Sequence, residues 1–317
     1  MSKGIPLVTG ATGFAGTHLV EHLLAFEPAV AAWGNRSGRS RGNDHPRVSW
    51  SAVDITDMAD VTHLLSDLQP SAIYHCAGIA DVNRSWSDSA RPLRVNAFGT
   101  HVVLEAVSRA RLPVPVLVTG SALVYRPSAG ALTEESPLGP PNPYGVSKLA
   151  QEMIAAGADA RVLLTRPFNH AGPGQSDAYV TSGFARQIAE AEAGLREPIL
   201  RVGNLESRRD ITDVRDVVRA YRLIVERGRP GRPYNVCRGE AYRVGDLMEK
   251  LIAQSRVPIS IEADPRRLRP SDNPVVLGNA DRLRADTGWE PQIDIDRTLT
   301  DLLNHWRRTL TERGTAR

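Results

Sequence analysis

Tyr144 and Lys148, in the run Pro143-Tyr144-Gly145-Val146-Ser147-Lys148, stand four residues apart. On a helix that spacing puts both side chains on one face, one turn from each other. An ammonium beside a phenol favours the phenolate and is expected to lower the tyrosine pKa, making it a proton donor or acceptor near neutral pH. Exposed helices carry Tyr-x-x-x-Lys by chance, so the pair gains weight only from partners elsewhere. Ser121, just beyond an apolar strand pattern at 114–119, offers a hydroxyl for an oxygen that develops negative charge. These three are the candidate catalytic residues.

A first such partner is a nucleotide-cradling turn, and the N-terminus has the residues for one. Residues 5–9 read as a buried strand, followed by Thr9-Gly10-Ala11-Thr12-Gly13-Phe14-Ala15-Gly16 and a helical pattern over 17–25. Glycines 10, 13 and 16 between strand and helix allow a tight turn, the approach of a pyrophosphate to main-chain amides, and close helix–strand packing. Thr12 and Phe14 belong to the same turn. A second strand pattern, 29–33, leads to Asn35 and Arg36, and no acid stands between Glu27 and Asp44. An acid there would take a ribose 2′-hydroxyl; its lack favours a 2′-phosphate, hence NADP with NADPH preferred and NAD possible. Asp54 and Ile55 are placed to meet the adenine, Ala77 in His75-Cys76-Ala77-Gly78 to lie along a ribose, and Asn96 to anchor the backbone or a proton-relay water.

The elements that must position these residues alternate strand and helix through the first half, which predicts a doubly wound parallel sheet with ligands at the carboxyl ends of its strands. A chain of 317 residues with 41% hydrophobic and 24% charged residues predicts two soluble lobes. No run of about 18 apolar residues suggests a membrane span. Met1-Ser2-Lys3-Gly4 leads straight into the first strand pattern, so no signal peptide is expected. Cys76 and Cys237, far apart and outside any CxxC, suit a reduced cytoplasmic protein. The net charge of +3 comes from separate arginine-rich stretches, and aromatics make up only 5%. That argues against nucleic acid and for small phosphate ligands. His18-Leu19-Val20-Glu21-His22 matches a zinc-peptidase pattern, but a helix after a dinucleotide turn should show that face to solvent, so no metal is expected.

Taken in order, the glycine turn, Asn96, Ser121, Tyr144 and Lys148 resemble the extended short-chain dehydrogenase/reductase family over nearly the whole chain. The resemblance implies a Rossmann domain, a smaller α/β nucleotide-sugar domain and a homodimer formed through a helix bundle, with 94–110 and 144–157 as candidate interface helices. It implies lobes of 1–167 plus 208–237 and of 168–207 plus 238–317. Arg166-Pro167-Phe168-Asn169-His170-Ala171-Gly172-Pro173-Gly174-Gln175, Arg209-Asp210 and Leu268-Arg269-Pro270-Ser271-Asp272 are similar to segments of members that act on GDP-sugars. From that likeness Ser85 and Asn169 would position the hexose, Arg209 and Arg269 the diphosphate, and Asp272 a ribose hydroxyl. The implied activity is reduction of the C4 keto group of GDP-4-keto-6-deoxy-D-mannose to GDP-D-rhamnose by NAD(P)H. The related dehydratases carry a glutamate where Leu123 stands, and leucine cannot carry a proton. An NDP-sugar 4-epimerase is the nearest rival, and a cofactor-sensing binding protein the non-enzymatic one.

Overall fold

The structure is a computed structural model that describes residues 4–35, 45–82, 84–267 and 273–315. Arg36, Arg269 and Asp272 lie outside the described residues. The first half alternates β1 (Leu7–Thr9), α1 (Phe14–Leu23), β2 (Val30–Gly34), β3 (Val48–Ala52), α2 (Met58–Leu68) and β4 (Ile73–His75). A helical stretch follows: α3 (Ala90–Pro92), a π-helical turn (Leu93–Phe98) and α4 (Gly99–Arg109). Then come β5 (Val116–Thr119), α5 (Pro143–Ala156) and β6 (Val162–Pro167). Strands β1, β2, β4 and β5 are buried along their whole length, as short apolar runs become when helices cover both faces of a parallel sheet.

Seven strands make one parallel Rossmann-type sheet in the order β10-β6-β5-β4-β1-β2-β3, with β10 (Pro233–Val236) on the edge. The chain winds outward from β1 to β3 and then resumes on the other side with β4. The reversal leaves a crevice beyond the carboxyl ends of β1 and β4, where ligands bind in open α/β sheets. The turn after β1 presses against the segment after β4. Gly10 has φ +66°, and a Cβ there would lie 2.6 Å from the Ala77 backbone, so only glycine fits.

The second half supplies β7 (Asn169–Ala171), α6 (Val180–Glu192), β8 (Ile199–Val202), β9 (Arg208–Asp213), α7 (Val214–Arg227), β11 (Ala241–Arg243) and α8 (Val244–Ile252). It ends with β12 (Ser260–Ala263), β13 (Val275–Val276), α9 (Asp281–Thr287) and α10 (Ile295–Thr315). Strands β7, β11 and β13 all pair with β9, while β8 pairs with β12. Phe184, Ile188, Leu247, Leu299 and Leu302 from α6, α8 and α10 form a core of their own.

The 208–237 segment divides between the lobes. β9 belongs to the smaller sheet, whereas α7 packs on α1, β5 and β6, and β10 completes the large sheet. The return of α7 and the turn after β7 also change the fate of α1. The face expected to meet solvent is covered: His18 Nε2 pairs with the Pro173 carbonyl at 2.8 Å, and His22 Nε2 accepts from Arg222 Nε at 3.2 Å. Burial, then the charge of Arg222, lowers the His22 pKa to about 4, in keeping with its acceptor role. Among the described residues no group of three or more His, Cys, Asp or Glu could hold a metal ion, and no helix is long and apolar enough to cross a membrane.

Candidate active site

Helix α5 begins where its sequence says it should. The Asn142 side chain accepts from Gly145 N at 2.8 Å, and Pro143 occupies the first turn, where its missing N–H costs nothing. Gly145 lets this end of the helix close on the loop after β5: a Cβ there would sit 2.4 Å from the Leu123 carbonyl oxygen. The approach brings Tyr144 beside Ser121, whose Oγ accepts from Leu123 N at 3.1 Å. Tyr144, Ser121 and Lys148 are all buried and all line one cavity of about 440 Å³.

The electrostatics differ from the sequence expectation. Burial pushes the Tyr144 phenol well above its ordinary value, and the group that draws it back is Ser121. Lys148 makes its hydrogen bonds elsewhere. Its Nζ donates to the Thr119 carbonyl and to Gln151 Oε1, each at 2.8 Å. Burial lowers the Lys148 pKa to about 8. The ammonium is thus held at the floor of the cleft, drawn toward β5 and the interior of its own helix.

Asn96 lies in the π-helical turn and is fully buried. Its side chain accepts from Ile79 N at 2.8 Å and donates to Ile79 O at 3.1 Å and to Ser147 Oγ at 2.9 Å. Ser147 in turn donates to the Tyr144 carbonyl at 2.7 Å. Asn96 therefore ties the segment after β4 to the first turn of α5.

Of the residues expected to hold a dinucleotide, Gly10, Gly13, Phe14 and Gly16 line the same cavity as the Ser121–Tyr144–Lys148 group. Phe14 stacks on His170, ring centroids 5.7 Å apart and planes 5° from parallel. Thr12 packs beside Gly34 rather than into the cavity. Ala77 N donates to Thr9 Oγ1 at 3.3 Å, while its neighbours Cys76 and Gly78 form the wall. Asn35 is exposed just beyond β2. Asp54 is exposed and accepts from Thr56 N at 2.9 Å and Thr56 Oγ1 at 2.7 Å; Ile55 is buried against Gly99. Neither belongs to the cavity wall.

A second cavity, about 830 Å³, opens between the lobes. Leu123, Asn169, Tyr179, Val180, Val82 and Val276 line both cavities and form a waist between them. Asn169 and Arg209 line the larger cavity. Ser85 does not: it is fully buried and spends its hydroxyl on the Val82 carbonyl at 2.6 Å, because the 3₁₀ turn Arg84–Trp86 folds it inward. Trp86, 65% exposed, faces the cavity instead. Sequence reasoning also missed Arg201, which adds positive charge to that wall, and Tyr179, whose hydroxyl donates to the Ala80 carbonyl at 3.1 Å; Arg266 and Arg267, from one of the arginine-rich stretches, line the same wall. Trp86 was within reach as the neighbour of Ser85; Arg201 and Tyr179 carried no local signal.

The chain is similar to known proteins over nearly its whole length. The chain is 36% identical over 312 residues to GDP-6-deoxy-D-mannose reductase of Pseudomonas aeruginosa, an alignment covering 96% of this chain and 98% of the relative. It is 30% identical over 322 residues to UDP-glucose 4-epimerase of Mycolicibacterium smegmatis, covering 95% and 98%. The solved structure of RMD from Pseudomonas aeruginosa complexed with NADPH superposes with a TM-score of 0.84 at 33% identity, over 97% of this chain and 100% of that one. A putative epimerase from Burkholderia cenocepacia gives 0.86 at 32% identity, over 97% and 99%. The profile of the GDP-mannose 4,6 dehydratase family matches residues 7–302. With that span and those relatives, the chain belongs to the GDP-mannose 4,6 dehydratase family of extended short-chain dehydrogenases/reductases.

Proposed function

We propose that this chain reduces the C4 keto group of GDP-4-keto-6-deoxy-D-mannose to GDP-D-rhamnose, with NADPH as the preferred reductant and NADH as a possible one. The observation that carries the reading is the waist. Ser121 and Tyr144 stand in the wall of a glycine-ended cavity, and that cavity shares Leu123, Asn169 and Tyr179 with a larger, arginine-lined one. A carbonyl held at the waist meets both a proton donor and a nicotinamide ring.

The residues present fit a dinucleotide: Gly10, Gly13 and Gly16 bring main-chain amides to the wall of the smaller cavity, which Lys148 also lines. Bound NADPH supplies the hydride. Tyr144 gives a proton to the oxygen of the reduced carbonyl, and Ser121 donates to that same oxygen, stabilising the charge that grows there. Lys148 offers a donor to the nicotinamide ribose. Asn169 orients the hexose, and Arg209, with Arg201, Arg266 and Arg267 on the same wall, meets the diphosphate. Leu123 carries no proton, which speaks against removal of a C5 proton and so against dehydration.

The large-sheet lobe holds the dinucleotide in this proposal, and the lobe built on β9 holds the nucleotide-sugar. Leu93, Phe98, Val146 and Met153 leave apolar surface exposed on the π-helical turn and α5, which supports a homodimer through those helices. The two free cysteines, Cys76 and Cys237, suit a reducing cytoplasm.

The test is to mix the purified protein with GDP-4-keto-6-deoxymannose and follow oxidation of NADPH and NADH separately. Stoichiometric NADPH loss with formation of a 4-hydroxy sugar is expected. Interconversion of 4-hydroxy epimers without net oxidation of either cofactor would replace the proposal with a 4-epimerase.

A further inference from the structure

Behind Lys148 runs a buried chain of polar side chains in which the direction of every hydrogen bond can be worked out. Thr100 Oγ1 is its node. It donates to the Asn96 carbonyl at 2.7 Å, and Gln151 Nε2 donates to it at 2.8 Å. A hydroxyl has one proton to give. The contact with His75 Nε2 at 2.9 Å therefore has the imidazole as donor, which fixes the proton on Nε2. His75 Nδ1 is then bare and accepts from Thr9 Oγ1 at 2.8 Å, and Thr9 accepts in turn from Ala77 N at 3.3 Å. Thr9, His75, Thr100 and Gln151 are all fully buried.

The same logic fixes Gln151. Its amide nitrogen is committed to Thr100, so its carbonyl oxygen must face Lys148, at 2.8 Å from Nζ. An ammonium has three protons. Gln151 takes one and the Thr119 carbonyl a second, leaving the third for the cleft.

We infer that Gln151 is a positioning residue for the reaction: its amide, locked by Thr100 and through Thr100 by neutral His75, keeps the Lys148 ammonium charged and aims its remaining N–H at the cleft. The inference rests on the reductase reading for its kinetic consequence but not for its structural one. An imidazolium at His75 would put a second donor against Thr9 and break the order, and burial with the nearby charge of Lys148 keeps the ring neutral, its pKa lowered to about 3. The titratable groups facing Lys148 are His75 and Cys76 at the end of β4 and Tyr144 on its own helix, with Tyr221 of α7 behind Cys76 and Tyr144. None of the four is a carboxylate, so the charge is held by oriented oxygens rather than by an ion pair.

The experiment is favoured by composition, since Lys3, Lys148 and Lys250 are the only lysines in the chain. Protein labelled with ¹³Cε-lysine gives few signals, and Lys148→Met identifies the one that matters. In the wild type that signal should titrate near pH 8. Gln151→Leu removes an acceptor that favours the charged form, so the midpoint should fall by about one pH unit. Gln151→Glu puts a carboxylate in the same place and should raise it above the wild-type value. The alkaline limb of kcat/KM should move in the same opposite directions, while NADPH affinity at pH 7 changes less than about threefold, under 1 kcal/mol. Opposite movement by two variants of one side chain is not produced by loosened packing. If both midpoints stay at the wild-type value in folded protein, the inference is wrong. A wild type that turns over no 4-keto sugar overturns the reductase reading alone, because the titration needs no substrate.

Discussion

The Arg166 guanidinium on β6 grips the Glu152 carboxylate on α5, Nε to Oε2 at 3.0 Å, one turn beyond Lys148. Arg166 also donates to Tyr125 OH at 2.9 Å and to the Glu134 carbonyl at 3.0 Å, and Tyr125 OH donates to Asn235 Oδ1 at 2.6 Å. Helix α5 is thereby clamped to the sheet and to the loop that precedes it. Arg166→Met should destabilise the fold by about 3–5 kcal/mol, because it leaves a carboxylate buried without its partner. Arg166→Met with Glu152→Leu together should recover much of that loss. Denaturant unfolding of the three variants measures it, and equal losses in single and double variants would show that the pair does not act as a unit.

Tyr144→Phe should lower turnover by about 10²–10⁴-fold, the usual worth of positioned acid–base help, with NADPH affinity retained. Phenylalanine keeps the ring that fills the space beside Ser121 and removes only the proton. Single-turnover kinetics and cofactor fluorescence separate the two effects. A protein that merely senses the cofactor would lose nothing.

Arg209→Gln should weaken binding of the nucleotide-sugar by about 10- to 100-fold and leave NADPH binding unchanged, since a charge-assisted contact to a diphosphate is worth roughly 1.5–3 kcal/mol. Arg209 lines the larger cavity and not the smaller one. Calorimetric titration with GDP and with NADPH distinguishes the two. Equal loss for both ligands would move Arg209 out of the proposed role.

Asp210, fully buried on β9, accepts from Arg238 N at 3.0 Å, Gly239 N at 2.9 Å and Gly278 N at 3.2 Å. Burial outweighs those bonds and holds its pKa at about 6, above the ordinary 3.8. The folded state therefore binds the proton more tightly than the unfolded chain. That contribution to stability is fully present below pH 3.8 and is lost as pH rises through about 6, on the order of 2–3 kcal/mol in all. Asp210→Asn cannot titrate, so the difference between wild-type and variant unfolding free energies should slope across that window and flatten above it. A constant difference from pH 4 to pH 7 would contradict the assignment.

Arg36→Ala should shift preference from NADPH toward NADH by about tenfold or more, since an arginine after the second strand suits a 2′-phosphate. Kinetics with the two cofactors measure it, and an unchanged ratio would locate the selectivity elsewhere.

Local chemistry was legible in the chain alone. Gly10, Gly13 and Gly16 between a strand and a helix, and Tyr144 four residues before Lys148 behind an Asn-Pro start, are written in neighbouring residues. Turn geometry and helical periodicity act over a few positions, so the sequence determined the parallel sheet, its crevice and the phenol–ammonium face. Folding in three dimensions decided what lies across the chain. It turned Ser85 inward and Trp86 outward, laid α7 over His22 and the turn after β7 over His18, placed β9 in the smaller sheet, and drew Lys148 toward Thr119 and Gln151. Each of these depends on which distant element arrives alongside, and no spacing within a single element encodes that arrival. Gln151 shows the boundary well: its place three residues after Lys148 was visible, but its meaning came only when Thr100 and His75, 51 and 76 residues earlier, closed around it.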